Sequence, residues 1–168
     1  MRFVKAVSSL IKGWASPIIK GNKGDFCNLG KGSVLGPEAR IDNIRGHKEA
    51  ISIGENSFSR GRLLTYGHGG HIEIGDWCYV GINTEIWSMD QIVIGNRVLI
   101  SHNVNIHDGT AHSTDPVERH LHFKHIIEMG HPVSKENLPG VLSAPIIIED
   151  DVWISFGVTI LKGVTIGA

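Results

Sequence analysis

Through most of this chain an aliphatic residue returns every six positions. Ile148, Ile154, Ile160 and Ile166 keep the interval near one end, with Val152, Val158 and Val164 in the fifth slot of each hexapeptide. The same interval links Ile94, Ile100 and Ile106, with Val98 and Val104 in the fifth slot. It also links Ile74, Val80 and Ile86, with Cys78 and Thr84, and runs from Leu29 through Leu35 to Ile41. A helix repeats near 3.6 and a strand at two, so neither element alone produces a six. A solenoid does, when each hexapeptide is one short strand and turn and three hexapeptides close one rung of a triangular β-helix. The chain is therefore expected to be all-β.

Rungs are expected to open at Ile53, Ile74, Ile94 and Ile148, at intervals of 21, 20 and 54 residues. An ideal rung takes about 18, so the first two intervals carry extra residues at corners. The third carries a whole insertion, from about 113 to 145, crowded with His120, His122, His125, His131, Pro132 and Pro139. It breaks the period and predicts a long protruding loop that leaves the solenoid and returns in phase; insertions of this length usually serve function. His122 and His131 read as solvated residues of that loop. Before the first hexapeptide, Phe3, Val4, Val7, Leu10, Ile11 and Trp14 fall at helical spacing with Arg2, Lys5 and Lys12 elsewhere on the wheel. Residues 1–28 are thus expected to form a short helical capping segment and 29–168 the β-helix. The helix is too broken in its apolar content to be a signal peptide or a membrane span. It is expected to pack over the first rung or on a neighbouring subunit, with contact to a membrane surface as the alternative.

Composition bounds the partners. Sixteen basic and seventeen acidic residues nearly cancel, so nothing advertises nucleic acid. Twenty-one glycines suit a fold that turns every few residues. Cys27 and Cys78 make no disulfide framework; Cys78 sits in an inward slot and is expected to be a buried, reduced thiol, which points to a cytoplasmic setting.

Ten histidines are many for 168 residues, and His102, His107 and His112 recur at intervals of five where the repeat is about to break. A reactive group at the root of an arm, on a rigid rung, is both accessible and held still. The string Asn103–Arg119, with His112-Ser113-Thr114-Asp115-Pro116-Val117-Glu118-Arg119 at its end, resembles the hexapeptide-repeat acyltransferases, and among them the sugar and polysaccharide O-acetyltransferases. Ile146–Ile154 and Gly163–Gly167 resemble that family's re-entry after the arm. The resemblance covers roughly 74–168. It implies a left-handed parallel β-helix and a homotrimer with active sites between subunits. It also implies acetyl-CoA as acyl donor, a carbohydrate acceptor and no metal.

By position, the resemblance makes His112 the catalytic general base. The N–H of Phe156 becomes the oxyanion donor, Trp153, Ser155 and Gly157 companions on the cofactor side, and Asn83 an acceptor-binding residue. Ser155 stands where the family often has glycine. Asp108 either orients a histidine at the substrate or caps a turn, and the turn is the favoured reading. A neutral imidazole can take a proton from a hydroxyl as it attacks a thioester. With no suitable serine or cysteine nucleophile beside the base, direct transfer is expected. The same location within the cell follows, cytoplasmic and possible at the inner membrane surface. Two alternatives stand. His102 and His107 also resemble the His-x4-His segment of γ-class carbonic anhydrases, with His68 or His71 as a third ligand to a metal. A chain ending at Ala168, just as a hexapeptide begins, would instead be a truncated, non-catalytic scaffold.

Overall fold

The computed structural model describes residues 22–168; the expected N-terminal helix lies outside them. The chain climbs in rungs of three short strands. The first rung holds β1 (Asn28–Leu29), β2 (Val34–Leu35) and β3 (Arg40–Asn43), and the second β4 (Ile51–Ile53), β5 (Phe58–Ser59) and β6 (Arg62–Thr65). The third holds β7 (Ile72–Ile74), β8 (Tyr79–Val80) and β9 (Glu85–Ser88), and the fourth β10 (Ile92–Ile94), β11 (Leu99–Ile100) and β12 (Asn105–His107). A fifth holds β13 (Ile146–Ile148), β14 (Trp153–Ile154) and β15 (Thr159–Leu161), and β16 (Thr165–Ile166) begins a sixth.

Every third strand stacks on the last, and all the pairings between these strands are parallel. The first sheet runs β1-β4-β7-β10-β13-β16, the second β2-β5-β8-β11-β14 and the third β3-β6-β9-β12-β15. This is a left-handed parallel β-helix. Register follows the six-residue clock: Leu29, Ile53, Ile74, Ile94, Ile148 and Ile166 stack as successive partners on the first sheet. The 54-residue interval thus closes in phase, Ile148 lying on Ile94.

Alternation does the rest. In β4, β7, β10 and β13 the outer two residues are buried and the middle one points outward, the period-two pattern of a strand with one face on a core. Ile51, Ile72, Ile92 and Ile146 are fully buried, and the inward side chains of the rungs form one continuous apolar column. Cys27 and Cys78 are buried and unpaired. The Cys78 thiol donates to the Gly95 carbonyl at 3.0 Å, and burial raises its pKa.

Corners need special backbone. Left-handed residues recur rung after rung, at Asn56, Trp77, Arg97 and Asp151 between the first and second sheets, and at Asn83, Asn103 and Gly157 between the second and third. Close approach matters beside them: a Cβ on Gly75 would sit 2.6 Å from the Gly95 carbonyl oxygen. The insertion is not simply a loop. It carries a 14-residue helix, α1 (Pro116–Met129), followed by a 3-10 turn at Lys135–Asn137.

Candidate active site at the root of the arm

The extra residues of successive rungs all fall at one corner, between the third and first sheets. Segments 44–50, 66–71, 89–91 and 108–145 occupy it in turn. Together with the outer face of the third sheet they enclose a cavity of about 440 Å³, lined by residues including Leu64, Tyr66, Trp87, Met89, His112 and His122. The site is thus built by the departures from the repeat, on a scaffold built by the repeat.

Asp108 latches the arm to this corner. Its side chain is fully buried and accepts from Ser88 Oγ at 2.6 Å and from the backbone N–H groups of Met89 and Asp90 at 2.8 and 3.0 Å. Its carbonyl accepts from Ala144 N at 3.0 Å, so one residue ties the outgoing and returning chain to the rung below. Thr110 N donates to Leu142 O, and Thr110 Oγ1 accepts from Leu142 N. Burial pushes the Asp108 carboxyl pKa up, against three donors that favour its charged form. Within this chain Asp108 thus holds the corner, its carboxylate engaged by three donors. The half-buried Tyr66 has its hydroxyl pushed up to about 12 by burial and by the Asp108 charge.

His112 emerges four residues past this latch. Ala111 is left-handed, with φ at 58°, and His112 N donates to Thr110 O at 2.6 Å. A non-glycine residue in that region is uncommon, and here the reversal turns the His112 ring out over the cavity. The ring is exposed, and its Nδ1 lies 3.4 Å from Nδ1 of His122.

His122 is the residue the sequence reading misplaced. It is 4% exposed and, with Ile126 one turn on, forms the only buried positions of α1. The helix starts with strong local signals. Asp115 caps it by accepting from Val117 N and Glu118 N, both at 2.9 Å, and Pro116 takes the first turn. Ser113 Oγ donates to Glu118 Oε2 at 2.7 Å, and Arg119 Nη1 donates to the Ser113 and Thr114 carbonyls at 3.1 Å. These bonds fix α1 against the segment that carries His112. The His122 Nε2 atom is buried without a hydrogen-bond partner. Its pKa is lowered, first by burial and then by His112, His125, His131 and His68. His131 itself is exposed, as expected of it.

The outer face of the third sheet continues the site sideways. Arg62 donates to Asp42 Oδ2 at 2.6 Å and its guanidinium lies 5.0 Å from the centre of the Trp87 ring. Trp87 Nε1 donates to Glu85 Oε2 at 2.6 Å, and the indole stacks on His107 with centroids 4.6 Å apart. Burial lowers the pKa of His107.

The remaining expected site residues lie at the opposite edge of that sheet. Asn83 is exposed at the corner before β9, with φ at 57°, while Ser155, Phe156 and Gly157 make the corner before β15. Phe156 stacks nearly parallel on His102, at 5.4 Å and 7°, and Gly157 N donates to His102 O. Trp153 is 75% exposed and faces outward from the second sheet, in register with Leu99. One chain therefore sets His112 at one corner and Asn83 and Phe156 at the other, and does not bring them together. Nor do the three spaced histidines converge: His102 engages Phe156, His107 engages Trp87, and His112 engages His122. Among the described residues no three His, Cys, Asp or Glu side chains are grouped as metal ligands would be.

No protein-family model matches the chain. Individual proteins do. The galactoside O-acetyltransferase of Lactococcus lactis is 28% identical over 135 residues, covering 80% of this chain and 56% of that protein. A Saccharomyces cerevisiae protein provisionally designated an acetyltransferase is 35% identical over 102 residues, covering 60% of this chain and 42% of its own length. The bifunctional protein GlmU of Prochlorococcus marinus is 30% identical over 157 residues, covering 84% of this chain and 34% of its own. The chain thus spans between about a third and about half of these relatives. The repeat and the solenoid make this a hexapeptide-repeat protein, and two of the three proteins it resembles carry acetyltransferase names.

Proposed function

We propose that the protein is an acetyl-CoA-dependent O-acetyltransferase whose acceptor is a hydroxyl of a sugar or polysaccharide precursor, with His112 as general base. The observation that carries this reading is the placement of His112. It is an exposed imidazole at the mouth of a cavity, fixed by a left-handed residue and by a buried latch four residues upstream. His112 Nε2 takes the proton of the acceptor hydroxyl as that oxygen attacks the thioester carbonyl. The tetrahedral intermediate collapses with loss of the CoA thiolate, and the imidazolium returns the proton to sulfur. No side chain is acylated on the way. The acetyltransferase names of the relatives support the reaction class, and the galactoside acetylase supports the acceptor class.

The same reading makes the enzyme a homotrimer. Phe156, whose N–H is the proposed oxyanion donor, and Asn83 sit across the third sheet from His112, so a neighbouring copy completes each site. Trp153, Ser155 and Gly157 then border the donor. The second sheet offers a surface for such packing: Val34, Phe58, Tyr79, Leu99 and Trp153 are register partners on successive rungs. All of them but Tyr79 are exposed, and a contiguous apolar stripe of this kind marks an interaction surface. We place the enzyme in the cytoplasm, a setting that keeps its buried thiols, Cys27 and Cys78, reduced. Among the described residues no helix is long and apolar enough to cross a membrane.

Calorimetric titration of the chain with acetyl-CoA tests the donor. One site per chain in the micromolar range is the expected result, and no heat of binding at millimolar donor would overturn it.

A further inference from the structure

The two facing imidazoles at the arm root constrain each other's protons. His112 Nδ1 and His122 Nδ1 are 3.4 Å apart, with ring centroids at 5.2 Å and planes 57° apart. Two neutral rings can share only one proton between those atoms, so their tautomers are tied. If His112 carries its proton on Nδ1, it donates to His122, and its Nε2 lone pair is free to accept a proton. His122 is then protonated on Nε2. If His122 donates instead, His112 must carry its proton on Nε2, and the base is blocked.

We infer that His122 is the positioning residue of the proposed acetyl transfer: it accepts from His112 Nδ1–H, holds the base in its competent tautomer, and continues to accept when His112 becomes an imidazolium. The inference rests on the assignment of His112 as base.

Three observations favour His122 as the acceptor. First, it is nearly sealed from solvent while His112 is open, so the charge formed in the reaction stays on the ring that water can reach. Second, the groups around His122 all discourage a second positive charge there. His112 faces it from the arm root, His125 lies on its own helix, His131 follows that helix, and His68 comes from the second-rung corner. Burial and these four histidines all favour its neutral form, in which Nδ1 can accept. Third, α1 is held against the His112 segment by the Asp115 cap, the Ser113–Glu118 bond and the Arg119 bonds to two carbonyls. The contact is longer than an ideal N–H···N bond, and such bonds tighten when a site closes on its substrate. Elsewhere a carboxylate or a backbone carbonyl commonly serves this function; a neutral histidine does so here without adding a charge.

The test pairs two substitutions with a readout that does not depend on turnover. His122→Leu removes the acceptor, and His122→Asn restores one near the place of Nδ1. Ring ¹⁵N spectra of His112 are recorded on the full chain at neutral pH for all three proteins, with circular dichroism as a check on folding. The expected result is Nδ1 protonation of His112 in the parent and in His122→Asn, and a shift towards Nε2 protonation in His122→Leu. In the transfer assay His122→Leu should lose at least about tenfold in kcat with an unchanged KM for acetyl-CoA, and His122→Asn should recover most of it. An unchanged His112 tautomer in His122→Leu, or an Asn variant no better than Leu, would overturn the inference. A parent protein that shows the Nδ1 tautomer but transfers no acetyl group would instead refute the assignment of function and leave the pairing standing.

Discussion

Asp108 and His112 are four residues apart, and the difference between them shows what a single residue does here. One is fully buried with three donors on its carboxylate, the other is open to solvent with one nitrogen engaged. Asp108→Ala would leave Ser88 Oγ and two backbone N–H groups without their acceptor inside the corner. A loss of about 3 kcal/mol of stability is expected by urea denaturation, with the damage centred on the arm. Asp108→Asn keeps an oxygen for part of that set and should cost less. The position of His112 at the arm root was legible in the sequence because the repeat fails just after it. His122 was not, because a histidine inside a broken repeat reads as solvated until the helix beneath it is recognised. The signal was present: Asp115-Pro116 is a cap and first-turn pair, and His122 and Ile126 are four apart on one helix face.

At the scale of elements, the arm is the part whose stability should respond to acid. His68, His107 and His122 all have pKa values lowered chiefly by burial. A histidine with a folded pKa below its unfolded value binds fewer protons folded than unfolded. Stability is therefore undiminished above the unfolded value, near 6.5, and is lost as pH falls from there towards the folded values. Two of the three line the cavity beneath the arm and the third stacks on a residue that does. Hydrogen exchange of α1 amides, corrected for intrinsic rates, should accelerate between pH 7 and pH 5 while β7 and β10 stay protected. Equal protection of α1 at both pH values would contradict this. The rungs answer to a different constraint. Gly75 lies so close to the next rung that Gly75→Ala should cost about 2 kcal/mol, read as a lower midpoint in the same denaturation. The strands and their register were legible because a period of six leaves one way to stack them. The length and placement of α1 were not, since the sequence reading treated the whole insertion as loop.

The described residues form a column with their irregularities gathered at one corner. Leu29 and Val164 are 38% exposed, whereas the inward slots of the middle rungs are almost fully buried, as expected of a solenoid in which each rung is covered by its neighbours. The outward stripe of the second sheet is left uncovered. If it is the subunit interface, the double variant Leu99→Asp/Trp153→Asp should sediment as a monomer where the parent sediments as a trimer. A variant that still sediments as a trimer would move the interface elsewhere. Why His112 and Phe156 fall at opposite edges of one sheet was not legible from spacing alone, because both lie at corners and only the stacked rungs tell one corner from another. Under the proposed function, that separation makes assembly part of the chemistry, with His112 at its centre. The most direct test of the account is therefore CoA release from acetyl-CoA in the presence of a panel of sugar hydroxyl acceptors, comparing the parent with His112→Ala at equal, verified folding. The account predicts acceptor-dependent release by the parent and a kcat lower by on the order of 10²-fold or more in the variant. Equal release by both proteins would contradict it.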